Sequence, residues 1–342
     1  MDRSTFIHRS VLLGDRIRAW LDGTGQWPEM DHAVACSAEE NIFFTPYMQR
    51  RALEAIAEGF LRGDILRRWT DCYPKPTGAS EERTCGVVAA GNIPAVAFHD
   101  ILSVMAAGWK PIVKLSSKDR RLLPVLFPDV QFCSSTEGWR VDALLTMGGD
   151  AASRHFKTHF PGIPGVIRAG RFSAAVIKGN EESSALRGLA EDMLLYYGLG
   201  CRSVTCLLVP AGYSLAAVAE QAEAFASEHL GQTAVNNHRR SRAVLSLAEE
   251  DFIDSGTVIF RDIRKLIPGA TEDMSLCCPW NMNLPVGQVW YAEYRSEDEI
   301  EKFITANKDR IQKIIRNFGS AQRPAPDDWP DGVDAVDTLL RI

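Results

Sequence analysis

The sequence predicts an α/β protein made of two doubly wound lobes. Three observations predict it: short apolar runs of strand length alternate with stretches of helical periodicity, Gly and Pro punctuate the changeovers, and 342 residues exceed what one hydrophobic core holds. Hydrophobic residues make up 46% and charged residues 24%, as in ordinary globular chains. No apolar stretch approaches the roughly 18 residues that a membrane span needs, so none is expected.

Apolar residues Met48, Leu53, Ile56, Phe60 and Leu61 recur at helical spacing, which predicts a helix over 45–66. Tyr73-Pro74-Lys75-Pro76-Thr77-Gly78 breaks it. Cys85 to Ala90 then reads as a buried strand ending in Gly91-Asn92-Ile93-Pro94. A helix over 95–107, stopped by Gly108, leads to a second strand at Pro111-Ile112-Val113-Lys114-Leu115. A third strand over 141–147 closes with Gly148-Gly149-Asp150 and hands over to a helix at 151–159; a fourth strand spans 173–178. Such alternation gives a mostly parallel sheet with its ligand crevice at the carboxyl ends of the strands.

The pattern then restarts. A helix over 183–197 enters Gly198-Leu199-Gly200-Cys201-Arg202-Ser203, and Val204 to Val209 reads as a further buried strand. A helix over 215–229 and strands at 256–260 and 289–294 follow. The lobe boundary is therefore expected near Gly198. The Pro- and Asp-rich stretch from Arg323 to Asp334 reads as an extended tail, and Val333 to Ile342 as a last strand whose apolar alternation a monomer would leave partly exposed.

The net charge of −6, from 38 basic and 44 acidic residues, argues against a nucleic-acid surface. The basic cluster Arg239, Arg240, Arg242 reads as a solvated edge or a ligand-phosphate contact. Eight cysteines are scattered without C-x-x-C pairs, and adjacent Cys277 and Cys278 suit neither a disulfide nor a metal cage, so no metal site is expected. The opening residues lack the apolar core of a secretory signal, which leaves the cytoplasm as the expected compartment.

Two residues stand out chemically. Cys201 lies between a flexible Gly-Leu-Gly turn and a buried strand, where a thiolate can be favoured; a cysteine there can equally be an inert small hydrophobe. Asn92 follows a strand at a crevice turn, and its amide either serves turn geometry or donates to a developing oxyanion. Lys114, followed by Leu115-Ser116-Ser117, ends a buried strand and suits ribose hydroxyls or a phosphate, unless it is a solvent-facing lysine. Gly148-Gly149 at a strand-to-helix junction would let a pyrophosphate approach a helix N-terminus, although no G-x-G-x-x-G fingerprint follows a strand. His238, in Asn236-Asn237-His238, reads as structural or as facing an acyl site.

Taken in order, these segments resemble the aldehyde dehydrogenase superfamily, and more closely the fatty acyl-CoA reductases of the LuxC type. Gly91-Asn92-Ile93-Pro94 is similar to the family's oxyanion turn, and Ile112 to Ser117 to the strand whose lysine contacts the adenosine ribose. Thr146-Met147-Gly148-Gly149-Asp150 stands where the superfamily has a Thr-Gly-Ser type turn, and Gly198-Leu199-Gly200-Cys201 where it has Gly-Gln-x-Cys. Asn317 to Pro324 and Asp331-Gly332-Val333-Asp334 are similar to the reductases' C-terminus. The likeness covers about residues 70 to 342. Two departures stand out. The superfamily's water-activating Glu has no counterpart in Arg168-Ala169-Gly170-Arg171, and its nicotinamide-ribose Glu has none in Pro279 to Pro285.

The resemblance implies an aldehyde dehydrogenase-like fold. Residues 1–197 would be a cofactor-binding lobe with an oligomerisation hairpin near 66–86, residues 198–320 a catalytic lobe, and 321–342 an oligomerisation tail. It implies an acyl-CoA or acyl-carrier thioester as substrate, an S-acyl intermediate on Cys201, an oxyanion held by Asn92, and NADP or NAD bound through Lys114, Ser116, Gly148 and Gly149. A homo-oligomer is expected. Without the water-activating Glu, transfer of the acyl group to hydride is favoured over hydrolysis. The other readings are an oxidative aldehyde or semialdehyde dehydrogenase and a non-catalytic acyl-binding homologue.

Overall fold

Helices open the chain in the computed structural model, which describes residues 2–74, 83–148, 150–168, 170–266 and 285–342. α1 (Arg3–Leu21) starts where the Asp2 carboxylate accepts the Thr5 N–H, and buries Phe6, Ile17 and Trp20. α2 (Pro28–Glu40) and α3 (Pro46–Gly59) each place a proline in the first turn, where no N–H is required. The single helix expected over 45–66 is two. α3 stops at Phe60, and α4 (Gly63–Asp71) restarts after Arg62 to turn Leu66 and Trp69 inward.

The first compact unit runs to Gly170 and regains the chain at Arg323–Ile342. Its strands and helices alternate as β1 (Thr84–Val88), α5 (Phe98–Ala106), β2 (Lys110–Lys114), α6 (Leu122–Leu126), β3 (Gln131–Cys133), β4 (Ala143–Thr146), α7 (Asp150–His159) and β5 (Gly165–Ile167). All five strands pair in parallel in the order β3-β2-β1-β4-β5. The order reverses at β1, so the segments leaving β1 and β4 diverge and open a crevice at their carboxyl ends. Cys85, Val87 and Val88 of β1 are all buried, as a strand covered on both faces requires.

The second unit, Arg171–Gln322, contains β6 (Phe172–Val176), α8 (Ser183–Leu194), β7 (Val204–Pro210), α9 (Ala216–His229), α10 (Gly231–Leu247), β8 (Ile253–Asp254), β9 (Ile259–Asp262), β10 (Gln288–Tyr294), α11 (Glu297–Asn307) and β11 (Ile311–Ile315). Its strand order is β11-β6-β7-β10-β9-β8, parallel except where β8 runs against β9. Val176, Cys206, Leu208, Trp290, Ala292, Ile300 and Phe303 form its core. Two doubly wound α/β lobes, as the alternation predicts, are thus present.

Three further expectations are corrected. The lobe boundary lies at Gly170/Arg171 rather than near Gly198, because β6 pairs with β7 and β11 and so carries residues 171–197 into the second sheet. The last stretch is not an exposed strand but a helix, α12 (Ala335–Arg341), started by Asp334 accepting the Asp337 N–H. α12 buries Ala335, Val336 and Leu339 in the first unit's core, and the Tyr73 hydroxyl donates to Asp334 at 2.8 Å. Those apolar residues are consumed within their own unit, so they no longer argue for pairing between subunits. The described residues of 66–86 also make no hairpin: Leu66 to Asp71 are helical, and Thr84 to Gly86 pair inside the central strand of the sheet. Residues 75–82 of that stretch lie outside the described residues.

Candidate active site

In the first unit, parallel register brings the predicted residues to one edge. Val88 pairs with Lys114 on one side and with Thr146 on the other, so three strands end level. Asn92, Lys114, Ser116 and Gly148 therefore all lie at or just beyond the carboxyl edge of this sheet, where a doubly wound fold binds its ligands. Gly149 lies outside the described residues.

The turn after β1 is packed against the one after β2. A Cβ on Gly91 would fall 2.3 Å from Ser116 Oγ, so only glycine permits this approach. Ser116 also bridges to Asp119, whose carboxylate accepts the Ala95 N–H at 2.8 Å. Ala95 has φ 53°, in the left-handed region, and Asp119 is only 1% exposed. Burial pushes the Asp119 carboxyl up to about 7, against the opposing pull of the Ala95 N–H. Asp119 thus holds the Ala95 end of the segment that follows Asn92. Nothing in the sequence signals this role, since an Asp beside Lys118 and Arg120 reads as solvated.

Lys114 is half-buried, and among the described residues its ammonium makes no ion pair or hydrogen bond. Thr146 Oγ1 is buried and, among the described residues, has no hydrogen-bond partner. A cation and an orphaned hydroxyl, level with each other beside the Gly148 turn into α7, suit a ligand carrying phosphates and ribose hydroxyls. The Arg168 guanidinium donates to the Asp100 carboxylate at 2.6 and 2.8 Å, with both side chains at most 3% exposed.

In the second unit, Cys201 stands before β7 and so at the amino edge of its sheet, not at a carboxyl edge. α8 ends at Leu194, and buried Tyr196 (φ 57°) and Tyr197 (φ 56°) follow in the left-handed region, ahead of Gly198 (φ 72°). Two adjacent non-glycine residues in that region cost about 1–3 kcal/mol each, which the surrounding packing must offset. The Tyr197 hydroxyl donates to the Leu230 carbonyl at 3.1 Å and helps to fix them.

Gly200 to Ser203 then forms a turn closed twice. The Ser203 N–H donates to the Gly200 carbonyl at 3.0 Å, and the Gly200 N–H donates to Ser203 Oγ at 3.3 Å. Cys201 is the second residue of this turn, and its carbonyl accepts the Ser173 hydroxyl at 2.9 Å. Its peptide is held on both sides while the side chain stays half-buried. Cys85 and Cys206 contrast with it. Both are fully buried in strands, and burial pushes the Cys206 thiol up to about 12 and the Cys85 thiol higher still. Cys277, Cys278 and Pro279 to Leu284 lie outside the described residues.

His238 is structural here: it is 6% exposed, and its Nε2 lies 2.7 Å from Asp254 Oδ1, which also takes the Gly256 N–H. Arg242 joins the same carboxylate at 3.2 Å, while Arg239 and Arg240 are exposed. Among the described residues no group of three or more His, Cys, Asp or Glu side chains is arranged to hold a metal. No helix among them is long and apolar enough to cross a membrane.

No family model and no curated protein sequence matches the chain. Solved structures do. Proline Utilization A from Corynebacterium freiburgense superposes with TM-score 0.62 at 14% identity, over 99% of this chain and 40% of that one. The NAD-dependent aldehyde dehydrogenase from Sinorhizobium meliloti gives TM-score 0.59 at 10% identity, over 93% and 75%. A His387Ala mutant of the propionaldehyde dehydrogenase from the Clostridium phytofermentans fucose utilisation microcompartment gives 0.57 at 9% identity, over 93% and 83%. The chain thus has the aldehyde dehydrogenase fold.

Proposed function

We propose that this protein is an acyl-thioester reductase, with Cys201 as the nucleophile that carries the acyl group. The observation that carries the reading is the Cys201 turn: a half-buried thiol on a doubly closed turn, braced by buried Ser173 and Ser203 and preceded by two buried tyrosines in the left-handed region. Strained backbone of this kind persists where function needs a fixed geometry.

In this reading the Cys201 thiolate adds to the carbonyl carbon of an acyl-CoA or acyl-carrier thioester. The carbonyl π electrons move onto oxygen, and the Asn92 amide, with the Cys201 peptide N–H, is assigned to that oxyanion. The oxyanion then re-forms the carbonyl, the carbon–sulfur bond to the leaving thiol breaks, and an S-acyl cysteine remains. When bound, a reduced nicotinamide cofactor, NADPH or NADH, would supply the hydride that takes the acyl group to the aldehyde and would be left as NADP or NAD. Lys114, Ser116 and the Gly148-Gly149 turn are the residues assigned to hold it, with the Thr146 hydroxyl added here. Arg168 paired with Asp100, where a water-activating carboxylate would stand, favours reduction over hydrolysis.

The test is intact-mass analysis after incubation with acyl-CoAs of several chain lengths. Wild type should gain the mass of one acyl group, Cys201→Ala should gain none, and adding NADPH or NADH should discharge the adduct as aldehyde. An adduct that persists in Cys201→Ala, or a wild type that takes no acyl group from any of them, overturns the proposal.

A further inference from the structure

We infer that Asp192, Gln322 and Ser203 are positioning residues for Cys201, linked in a buried hydrogen-bond chain that fixes the turn bearing the thiol. The inference rests on the reading of Cys201 as the acyl acceptor, which gives Asp192 and Gln322 no part.

The chain begins at the turn. Ser203 Oγ accepts the Gly200 N–H at 3.3 Å and also a Gln322 Nε2 hydrogen at 3.1 Å. Gln322 comes from the segment that follows β11, and that segment is itself pinned to α8. The two oxygens of Asp192 accept backbone N–H groups of Gly319 at 2.7 Å and Ala321 at 2.9 Å. Four residues back on the same helix, a Cβ on Gly188 would come within 3.0 Å of Gly319 N and Phe318 C, so the segment touches α8 at two successive turns.

Every member of the chain is buried: Ser203 is 0%, Asp192 1% and Gln322 6% exposed. In such surroundings the bonds reinforce one another, and losing one partner leaves the next group unsatisfied. The consequence at Cys201 is directional. Its peptide is the turn's second unit, so a small rotation of the Gly200 to Ser203 turn swings both the sulfur and the peptide dipoles beside it. Misplacement by about 1 Å at a reacting group costs on the order of 10²-fold in rate. Neither end of the chain is assigned a contact with substrate. Asp192 acts through the segment, the segment through Gln322, and Gln322 through Ser203.

The experiment follows iodoacetamide alkylation of Cys201 by peptide mass spectrometry across pH, on the full-length chain. It compares wild type with Gln322→Met, Ser203→Ala, Asp192→Ala and Asp192→Asn; alkylation of exposed Cys72 is the internal control. Loosened, the turn loses the oriented dipoles that favour thiolate. The midpoint of the Cys201 profile should then rise by about half a unit or more, slowing alkylation at neutral pH about threefold, with Cys72 unchanged. Asp192→Asn retains one acceptor oxygen and should fall between Asp192→Ala and wild type.

A merely structural brace would act oppositely, since loosening it would expose the thiol and speed its alkylation. A Cys201 profile that is unmoved or faster in folded Gln322→Met and Ser203→Ala overturns the inference. Gln322→Met keeps the side-chain volume and carries the test if Asp192→Ala does not fold. If wild type takes no acyl group yet the Gln322→Met profile shifts upward, the acyl-transfer reading fails and the positioning chain stands.

Discussion

Replacing Asp119 by Asn should make the protein's stability less dependent on pH, in a direction and amount that the structure sets. In the folded chain Asp119 is 1% exposed and its carboxyl is pushed up to about 7, from an ordinary value near 3.8, because burial disfavours the charge more than the Ala95 N–H favours it. A group whose pKa is raised on folding binds its proton more tightly in the folded state. Its stabilisation is full below the unfolded value and is lost as pH rises through the folded one. Between about pH 4 and about pH 8 the wild type should therefore lose about 4 kcal/mol that an untitratable side chain would not lose.

The amide introduced by Asp119→Asn would keep an oxygen for the Ala95 N–H, but would place its NH₂ where Asp119 Oδ1 now lies buried and without a partner among the described residues. That cost, about 1–3 kcal/mol, is the same at every pH, so it shifts the whole curve without changing its slope. The assay is thermal unfolding of Asp119→Asn and wild type over that pH range. At about 2–4 °C per kcal/mol for a domain of this size, the difference in midpoint should move in favour of the variant by about 8–16 °C from the acid to the alkaline end. A difference that stays flat with pH would show that Asp119 is ionised in the fold, and would remove it as the neutral clamp beneath the Asn92 turn.

Two further outcomes follow from the geometry. Asn92→Ala should leave the thermal midpoint nearly unchanged while slowing acyl transfer to Cys201 by about 10²–10³, measured by single-turnover quench and intact mass; an unchanged transfer rate removes the amide from the reaction. Leu339→Ala should destabilise the first unit by about 2–5 kcal/mol in a denaturant titration, because Leu339 of α12 is fully buried in that core; a change below about 0.5 kcal/mol would mean that the tail helix is not docked.

The sequence alone determined much of the architecture. Strands buried on both faces of a parallel sheet are apolar over most of their length, so β1, β4 and β7 were legible as runs, and α5 as a periodic stretch closed by Gly108. The placement of Asn92, Lys114 and Ser116 at one edge followed, because consecutive parallel strands share a carboxyl end. Local pattern failed where two periods compete. Val333 to Ile342 reads as an alternating strand, and only the Asp334 cap, with a core waiting for Ala335, Val336 and Leu339, makes Ala335–Arg341 a helix.

The unit boundary escaped for a related reason. A glycine-rich turn at Gly198 looks like a linker, and pairing of β6 with a strand more than a hundred residues later is invisible in the chain. Tertiary structure alone decided what supports each candidate residue: Asp119 beneath the Asn92 turn, and Ser173, Ser203, Gln322 and Asp192 behind Cys201. These are common polar residues whose types carry no signal in sequence. Burial and a hydrogen-bond partner far along the chain turn each of them from a solvated side chain into a fixed support, and both exist only once the sheets have formed.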